Sequence, residues 1–227
     1  MSLASLARHA LTLAETLPAR ARGALDVLTQ DPAAPANLVA ELEARARATP
    51  NRTFLLFERE RYTYRGLAEL VNARARTLAA QGVGRGDVVA LMMSNHPRFL
   101  VNAWAIAKLG AVASLVNTQL SRQGLAHGVV QTRPKLLVAG REHLPQLRAA
   151  LADEPRAKGL AWLWEETRAT PGDEPTHLTE SLAALDARLL ERGTPTPATA
   201  VTFGDELYAF ISTSGTTGLP KAGKITH

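Results

Sequence analysis

Val88 to Met93 is an unbroken apolar run, and Val112 to Val116, apolar except for Ser114, follows it across a single helical stretch. A strand that faced water on one side would alternate apolar with polar residues, so continuous runs of this length belong to strands buried on both faces. Such strands need helices above and below their sheet, which is the layering of parallel α/β proteins. The flanking segments keep to that scheme. Thr53 to Phe57 reads as a short strand, Glu58 to Arg61 as a turn, and Tyr62-Thr63-Tyr64 as the returning arm of a hairpin, with Thr63 placed to cap the next helix. That helix carries Leu67, Leu70, Val71, Leu78 and Ala79 on one face and stops at Gly82. Gly82, Gly84 and Gly86 lead into the first apolar run and read as a turn. Pro97 suits a first helical turn, Phe99 to Leu109 continues that helix, and Gly110 ends it ahead of the second run. Ser121 to Gln131 then gives a helix, Leu136 to Ala139 a strand, and Leu144 to Leu151 a helix. The expected fold is α/β, a largely parallel sheet flanked by helices and joined by right-handed crossovers.

Toward the ends the pattern changes. Ser2 to Leu17 sets Leu3, Leu6, Ala7, Ala10, Leu13, Ala14 and Leu17 on one face of an amphipathic helix, and Ala19 to Pro35 reads as a connection. The expected division is residues 1–36 for that helix and connection and 37–227 for the domain, which opens with a helix over Leu38 to Ala48 stopped ahead of Pro50. After Leu151 the regular alternation weakens. Leu160 to Leu163 suits one more strand, Glu165 to Thr176 a loop, Leu178 to Glu191 an amphipathic helix and Gly193 to Ala200 a Pro/Thr/Ala connection. This stretch reads as a surface excursion, from which Tyr208 to Ser212 returns as a strand.

Composition narrows the function classes. The 227 residues include no cysteine, which removes disulfides and thiolate metal sites, and a cytoplasmic setting is the expectation. Lys and Arg number 26 against 21 Asp and Glu, but the basic residues are interspersed with acids, and only 5% of the chain is aromatic. Neither a basic run nor a stacking platform is present, so nucleic acid is not an expected partner. No stretch reaches the roughly 20 apolar residues that span a bilayer. The helix over Ser2 to Leu17 suits packing on the body, a peripheral contact with the inner face of a membrane, or a targeting role.

The strand at Tyr208 to Ser212 runs into Thr213, Ser214, Gly215, Thr216, Thr217, Gly218, Leu219, Pro220 and Lys221. Two glycines let backbone N–H groups approach a bound anion, and four hydroxyls and an ammonium add donors. Phosphate oxygens only accept, so such a row of donors suits a polyphosphate. The spacing is not that of a Walker A loop, because two residues separate Gly215 from Gly218 and Lys221 comes three later. The turn at Gly82, Gly84 and Gly86 precedes a strand and is not a dinucleotide fingerprint. Residue types alone leave an ordinary polar surface loop as the alternative.

Tyr208-Ala209-Phe210-Ile211-Ser212-Thr213-Ser214-Gly215-Thr216-Thr217-Gly218-Leu219-Pro220-Lys221-Ala222 closely resembles the AMP-binding signature of the adenylate-forming superfamily of acyl-CoA synthetases, luciferases and peptide-synthetase adenylation domains. Tyr62 to Leu100 and Ala107 to Asn117 resemble the early part of those enzymes. The run Leu115 to Leu120, with Lys135 to Val138, is similar to the fatty-acid-transport and very-long-chain acyl-CoA synthetase branch. Ser212 departs from the pattern, since many members have an aromatic residue there. The resemblance, over about Asn37 to His227, implies a fatty acid–CoA ligase: carboxylate and ATP give acyl-adenylate and pyrophosphate, and CoA then displaces AMP to form a thioester. It implies that Thr213, Ser214, Gly215, Thr216, Thr217, Gly218 and Lys221 hold the β- and γ-phosphates, with Mg2+ bridging them, and that fatty acid, ATP and CoA are the partners. It implies too an incomplete N-terminal domain, with the adenine pocket, acyl tunnel and catalytic lysine beyond His227, no complete catalytic set in this chain, and no activity by the chain alone. A non-catalytic or split scaffold with the same fold, and a ligase acting on a non-fatty acid, are the other readings, and an unrelated ATP-using kinase is disfavoured by the lack of a Walker A lysine or a kinase Gly-rich loop.

Three remaining features carry less. His96, before Pro97, reads as a surface histidine rather than a substrate contact, and Phe99 and Trp104 read as core packing. Asp173, Glu174 and His177 lack a fourth ligand in sequence, and no metal site is expected there.

Overall fold

The structure is a computed structural model, and it describes residues 35–167, 179–213 and 219–227, of residues 179 and 180 the backbone only. The amphipathic helix of residues 2–17, its connection, and Asp173, Glu174 and His177 lie outside the described residues. The elements run α1 (Leu38–Ala48), β1 (Thr53–Phe57), β2 (Glu60–Thr63), α2 (Tyr64–Ala80), β3 (Val88–Met92), α3 (Pro97–Lys108), β4 (Val112–Leu115), α4 (Arg122–Val130), β5 (Leu136–Gly140), α5 (Leu144–Leu151), β6 (Ala161–Glu165), β7 (Thr179–Ser181), α6 (Leu182–Glu191), β8 (Leu207–Thr213) and β9 (Lys221–Thr226).

Seven strands form one sheet in the order β7-β6-β5-β3-β4-β8-β9, while β1 and β2 make a separate antiparallel hairpin. Every neighbouring pair in the large sheet is parallel except β8 with β9. The unbroken apolar run at β3 has the expected cause. Val89, Leu91 and Met93 join Leu136, Val138 and Leu163 in a core under α1, α2, α3 and α6. Ala90 and Met92 join Leu137 and Ala139 in a second core under α4 and α5. Phe99 and Trp104 pack in the first core, and Trp104 meets Phe54 edge-on at 5.5 Å.

Local signals set the boundaries. The Asn37 side chain accepts from the Val39 N–H at 2.9 Å to cap α1, and its amide donates to the Ala200 carbonyl at 3.0 Å, tying the chain's entry to the connection before β8. Thr63 Oγ1 accepts from the Gly66 N–H at 3.1 Å and caps α2. Gly82 and Gly86 adopt φ values of 80° and 79°, as a turn between α2 and β3 requires.

One expectation is overturned. The stretch after Leu151 is not a surface excursion. β6 extends to Glu165 and pairs with β5, β7 adds to β6, and Leu182 and Leu185 of α6 are buried in the first core. The helix expected from Leu178 starts at Leu182, because residues 179–181 are taken into the sheet. What holds α6 down is not apolar alone. Arg74, on the α2 face that packs against it, is wholly buried, and its guanidinium donates to Glu165 of β6, Asn102 of α3 and Asp186 of α6, the last at 3.0 Å. Thr77 Oγ1 adds a bond to Asp186 at 2.5 Å. Burial alone would lower the Arg74 pKa, but the two carboxylates outweigh it and keep the guanidinium charged.

Candidate functional site

Because β3, β4, β5, β6 and β8 are parallel, their carboxyl ends lie along one edge of the sheet, where ligands bind in open α/β folds. β8 is packed between β4 and β9, with Ala113, Ser114 and Leu115 of β4 opposite Ala209, Phe210 and Ile211. It ends at Thr213, and β9 returns antiparallel from Lys221 with Thr213 and Lys221 directly opposite. Opposed residues of an antiparallel pair share a face, so the first and last donors of the sequence motif are brought side by side. Thr213 Oγ1 donates to the Lys221 carbonyl at 3.3 Å, and both residues are exposed. Lys221 makes no ion pair among the described residues. Ser214, Gly215, Thr216, Thr217 and Gly218 lie outside the described residues.

One arm of this hairpin is tied to the sheet and the other is seated against a helix. On the incoming arm Ser212 Oγ donates to the Leu115 carbonyl of β4 at 3.2 Å. This is the position where an aromatic residue was the more usual choice, and here a hydroxyl is used as a tether. On the outgoing arm Pro220 is buried between exposed Leu219 and Lys221, beside Gly128 of α4. The arrangement sets an exposed lysine beside Thr213 at the ligand edge, a position from which its ammonium can meet an anion.

A second polar cluster at the same edge was not legible in the sequence. The winding of the sheet reverses at β3, with β4 on one side and β5 on the other, and the carboxyl ends of β3 and β5 flank the crevice that this creates. Glu142, just after β5, fills it: its carboxylate accepts from the Ser94 N–H at 3.3 Å and from Thr167 Oγ1 at 2.5 Å. Ser94 Oγ lies 3.1 Å from His143 Nε2. Burial pushes the Glu142 carboxyl up, but the bonds from Thr167 and Ser94 prevail and leave it below the ordinary glutamate value. Gly140 permits the fold-back, since a Cβ there would stand 2.5 Å from the Glu142 carboxylate oxygens. The only sequence signal was a glycine ending an apolar strand two residues ahead of an acid.

His96 is not turned to a ligand. Its Nδ1 accepts from the Arg98 N–H at 3.1 Å, capping α3, and its ring meets Phe57 at 5.2 Å. Among the described residues no three His, Asp or Glu side chains group as a metal site, and no helix is long and apolar enough to cross a membrane.

Comparison with known proteins adds to this geometry. Residues 42–227 match the model of the AMP-binding enzyme family. The chain is 32% identical over 215 residues to the medium/long-chain-fatty-acid–CoA ligase FadD6 of Mycobacterium tuberculosis, covering 95% of this chain and 33% of that protein. It is 32% identical to the mouse long-chain fatty acid transport protein 6, covering 81% of this chain and 29% of that one. Among solved structures, the inhibitor-bound N-terminal domain of FACL13 from M. tuberculosis superposes with a TM-score of 0.67 at 29% identity, covering 84% of this chain and 44% of that one. The chain thus spans about a third of the length of the curated relatives it matches.

Proposed function

The chain belongs to the AMP-binding enzyme family, and from that membership and the hairpin geometry we propose that it supplies the triphosphate grip of a fatty acid–CoA ligase. The observation that carries the reading is the pairing of exposed Thr213 with exposed Lys221 at the ligand edge, across a loop of hydroxyls and glycines. In this reading Ser214, Thr216 and Thr217, with backbone N–H groups of Gly215 and Gly218 and with Thr213 once its hydroxyl turns from the Lys221 carbonyl, hold the β- and γ-phosphates of ATP. A fatty acid carboxylate oxygen bonds to the α-phosphorus as the bond to pyrophosphate breaks. Lys221 then offsets the charge gathering on the leaving pyrophosphate, and preorganised donors of this kind lower the barrier without reorganising. Mg2+ enters as part of the Mg–ATP substrate, and CoA takes the acyl group in the second half-reaction as AMP leaves.

The names of FadD6 and of the transport protein support a medium to long acyl chain as the substrate class. Very-long-chain acids are the narrower form of the proposal. The sequence of residues 2–17 supports a peripheral membrane contact, which co-sedimentation with anionic vesicles tests by comparing the chain with and without residues 1–34.

As one part of a larger active site, the 227-residue chain should bind nucleotide without turnover. Millimolar Mg–ATP should slow amide exchange at residues 213–221, and no acyl-CoA should form from palmitate, ATP and CoA. Absence of protection would sink the phosphate assignment, and thioester formation by the chain alone would sink the division of labour.

A further inference from the structure

We propose that Gly128 is a positioning residue for the phosphate loop: it leaves a notch in α4 in which Pro220 is seated, and that seat fixes the outgoing arm of the loop. The inference rests on the reading that the loop holds phosphates, and it concerns how the loop is aimed.

Pro220 is the first observation. It is buried although Leu219 is 38% exposed and Lys221 is also exposed, so the chain dips into the body for one residue before β9 begins. The second is what it dips into. A Cβ at Gly128 would lie 3.0 Å from Leu120 Cδ1, 3.8 Å from Pro220 Cγ and 4.0 Å from Val116 Cγ1. The first of these is closer than side chains ordinarily pack, and the others show that the space beside the glycine is already taken by Pro220 and Val116. Gly124, one turn earlier on α4, is different, because a Cβ there would meet only Leu120 Cδ2 at 3.9 Å, an ordinary contact. Glycine weakens a helix interior relative to alanine, so a fold served only by α4 itself would gain from alanine at position 128.

Leu120, the wall of the notch, is itself braced. Its carbonyl accepts from the Gln146 side chain of α5, and Val116 follows directly on β4, with its N–H bonded to the Leu91 carbonyl at 3.0 Å. These bonds fix the backbone of the wall, so it is the Leu120 side chain that must turn aside to admit a Cβ at position 128. Ser212, bonded to Leu115, fixes the incoming arm, and Pro220 in its notch fixes the outgoing one. Both anchors lie on the segment from β4 to α4, so that segment holds the two ends of the loop, Ser212 and Pro220.

The test is hydrogen exchange read by mass spectrometry on the 227-residue chain, for residues 213–221 against β3 and α3 as internal references. Gly128→Val should speed exchange of the loop by about tenfold, Gly128→Ala by about threefold, and Pro220→Ala, which leaves α4 untouched, by about as much as Gly128→Val. The melting temperature of the Gly128→Ala chain should shift little, since alanine's gain in the helix offsets the displacement of Leu120. Leu120→Ala in the Gly128→Ala background should bring the loop back to within about twofold of wild type, a coupling that two independent sites would not show. In Gly128→Val, protection of the loop by Mg–ATP or inorganic pyrophosphate should need about fivefold more ligand. Loop exchange within about twofold of wild type in both Gly128→Ala and Pro220→Ala would overturn the seat, as would acceleration spread evenly over the references. If loop rates respond as expected but neither Mg–ATP nor pyrophosphate protects the wild type, the seat stands and the phosphate reading falls.

Discussion

The Arg74 guanidinium is wholly buried and shared among Glu165, Asp186 and Asn102, whereas the Lys221 ammonium stands exposed at the end of a hairpin with no ion pair among the described residues. Both are cations, yet one has its acceptors built in and the other is left to take them from outside. The difference separates polar groups that hold the fold from those available to a ligand. A buried charge needs internal partners because unpaired desolvation costs several kcal/mol, and an exposed one keeps its hydration until a ligand replaces it.

The largest effect follows from breaking the closed side of that contrast. Arg74→Met leaves Asp186 without its cation and Glu165 with only Arg98 at 3.9 Å, and truncating one partner of a buried network costs about 3–5 kcal/mol. For a domain of this size that lowers the melting temperature by roughly 10 °C, measurable by circular dichroism. Adding Glu165→Met and Asp186→Leu to Arg74→Met should recover most of the loss, because an apolar replacement of the whole set removes the unpaired charges with their partner. A triple variant as unstable as the single one would show that the network does more than neutralise itself.

The open side should respond in the opposite way. Lys221→Ala should change stability by less than about 0.5 kcal/mol, as an exposed side chain without internal partners does. It should weaken binding of Mg–ATP by about tenfold, the scale of one charge-assisted bond to phosphate. Titration calorimetry and thermal melts on one sample separate the two quantities. A loss of stability with nucleotide affinity intact would place Lys221 with Arg74 among the structural cations.

The two regions also differ in how far the sequence disclosed them. The hairpin's placement was readable because its residues are consecutive: Thr213 to Lys221 follow an apolar strand, which sets them at a sheet end. The Arg74 network joins residues 91 and 112 positions apart, and no local pattern links them. Arg74 sits between Val71 and Leu78 at core spacing, which was a signal, but a long cation at such a position reads equally as one that snorkels to solvent. The same limit explains the misjudged stretch after Leu151. β6 and β7 are short, and α6 buries Leu182 and Leu185 while Ala183, Ala184 and Ala187 stay exposed. A three-residue edge strand and a half-apolar helix look like an excursion until the pairing of β6 with β5 is known. Glu142 was hidden for a related reason, since a carboxylate folded back onto Ser94 and Thr167 has the same local sequence as one in water.

Glu142 tests a middle case, a charge satisfied internally but only partly buried. Its carboxyl is held below the ordinary glutamate value, so its contribution to stability is fully present above that value and is lost as the pH falls through the lowered one. Glu142→Gln should cost about 0.5–1 kcal/mol at pH 7, less than Arg74→Met because solvent screens the side chain. It should also flatten the fall in stability between about pH 5 and pH 3, where an ordinary glutamate takes up its proton. Urea melts at both ends of that window measure the slope, and an unchanged slope would mean that the Ser94 and Thr167 bonds do not depend on the charge.

The smallest effect belongs to an ion pair that is exposed and yet satisfied. Lys135 Nζ lies 2.8 Å from Asp87 Oδ2, and that carboxylate also accepts from the Gly84 N–H at 2.9 Å, so the Asp87 carboxyl is lowered first by the lysine and then by the backbone. Exposed pairs contribute little once side-chain entropy and salt are counted, and Lys135→Met should cost less than about 0.5 kcal/mol and nothing measurable in 1 M salt. The Asp87 carboxyl should rise on that substitution but stay below the ordinary aspartate value, because the turn at Gly84 keeps its bond, and carbon-13 chemical shifts followed against pH resolve the two steps. A return all the way to the ordinary value would mean that the lysine, not the turn, orients Asp87 at the entry to β3. The contrast drawn from Arg74 would then extend to the surface, with the pairing itself shaping the backbone even where it adds almost nothing to stability.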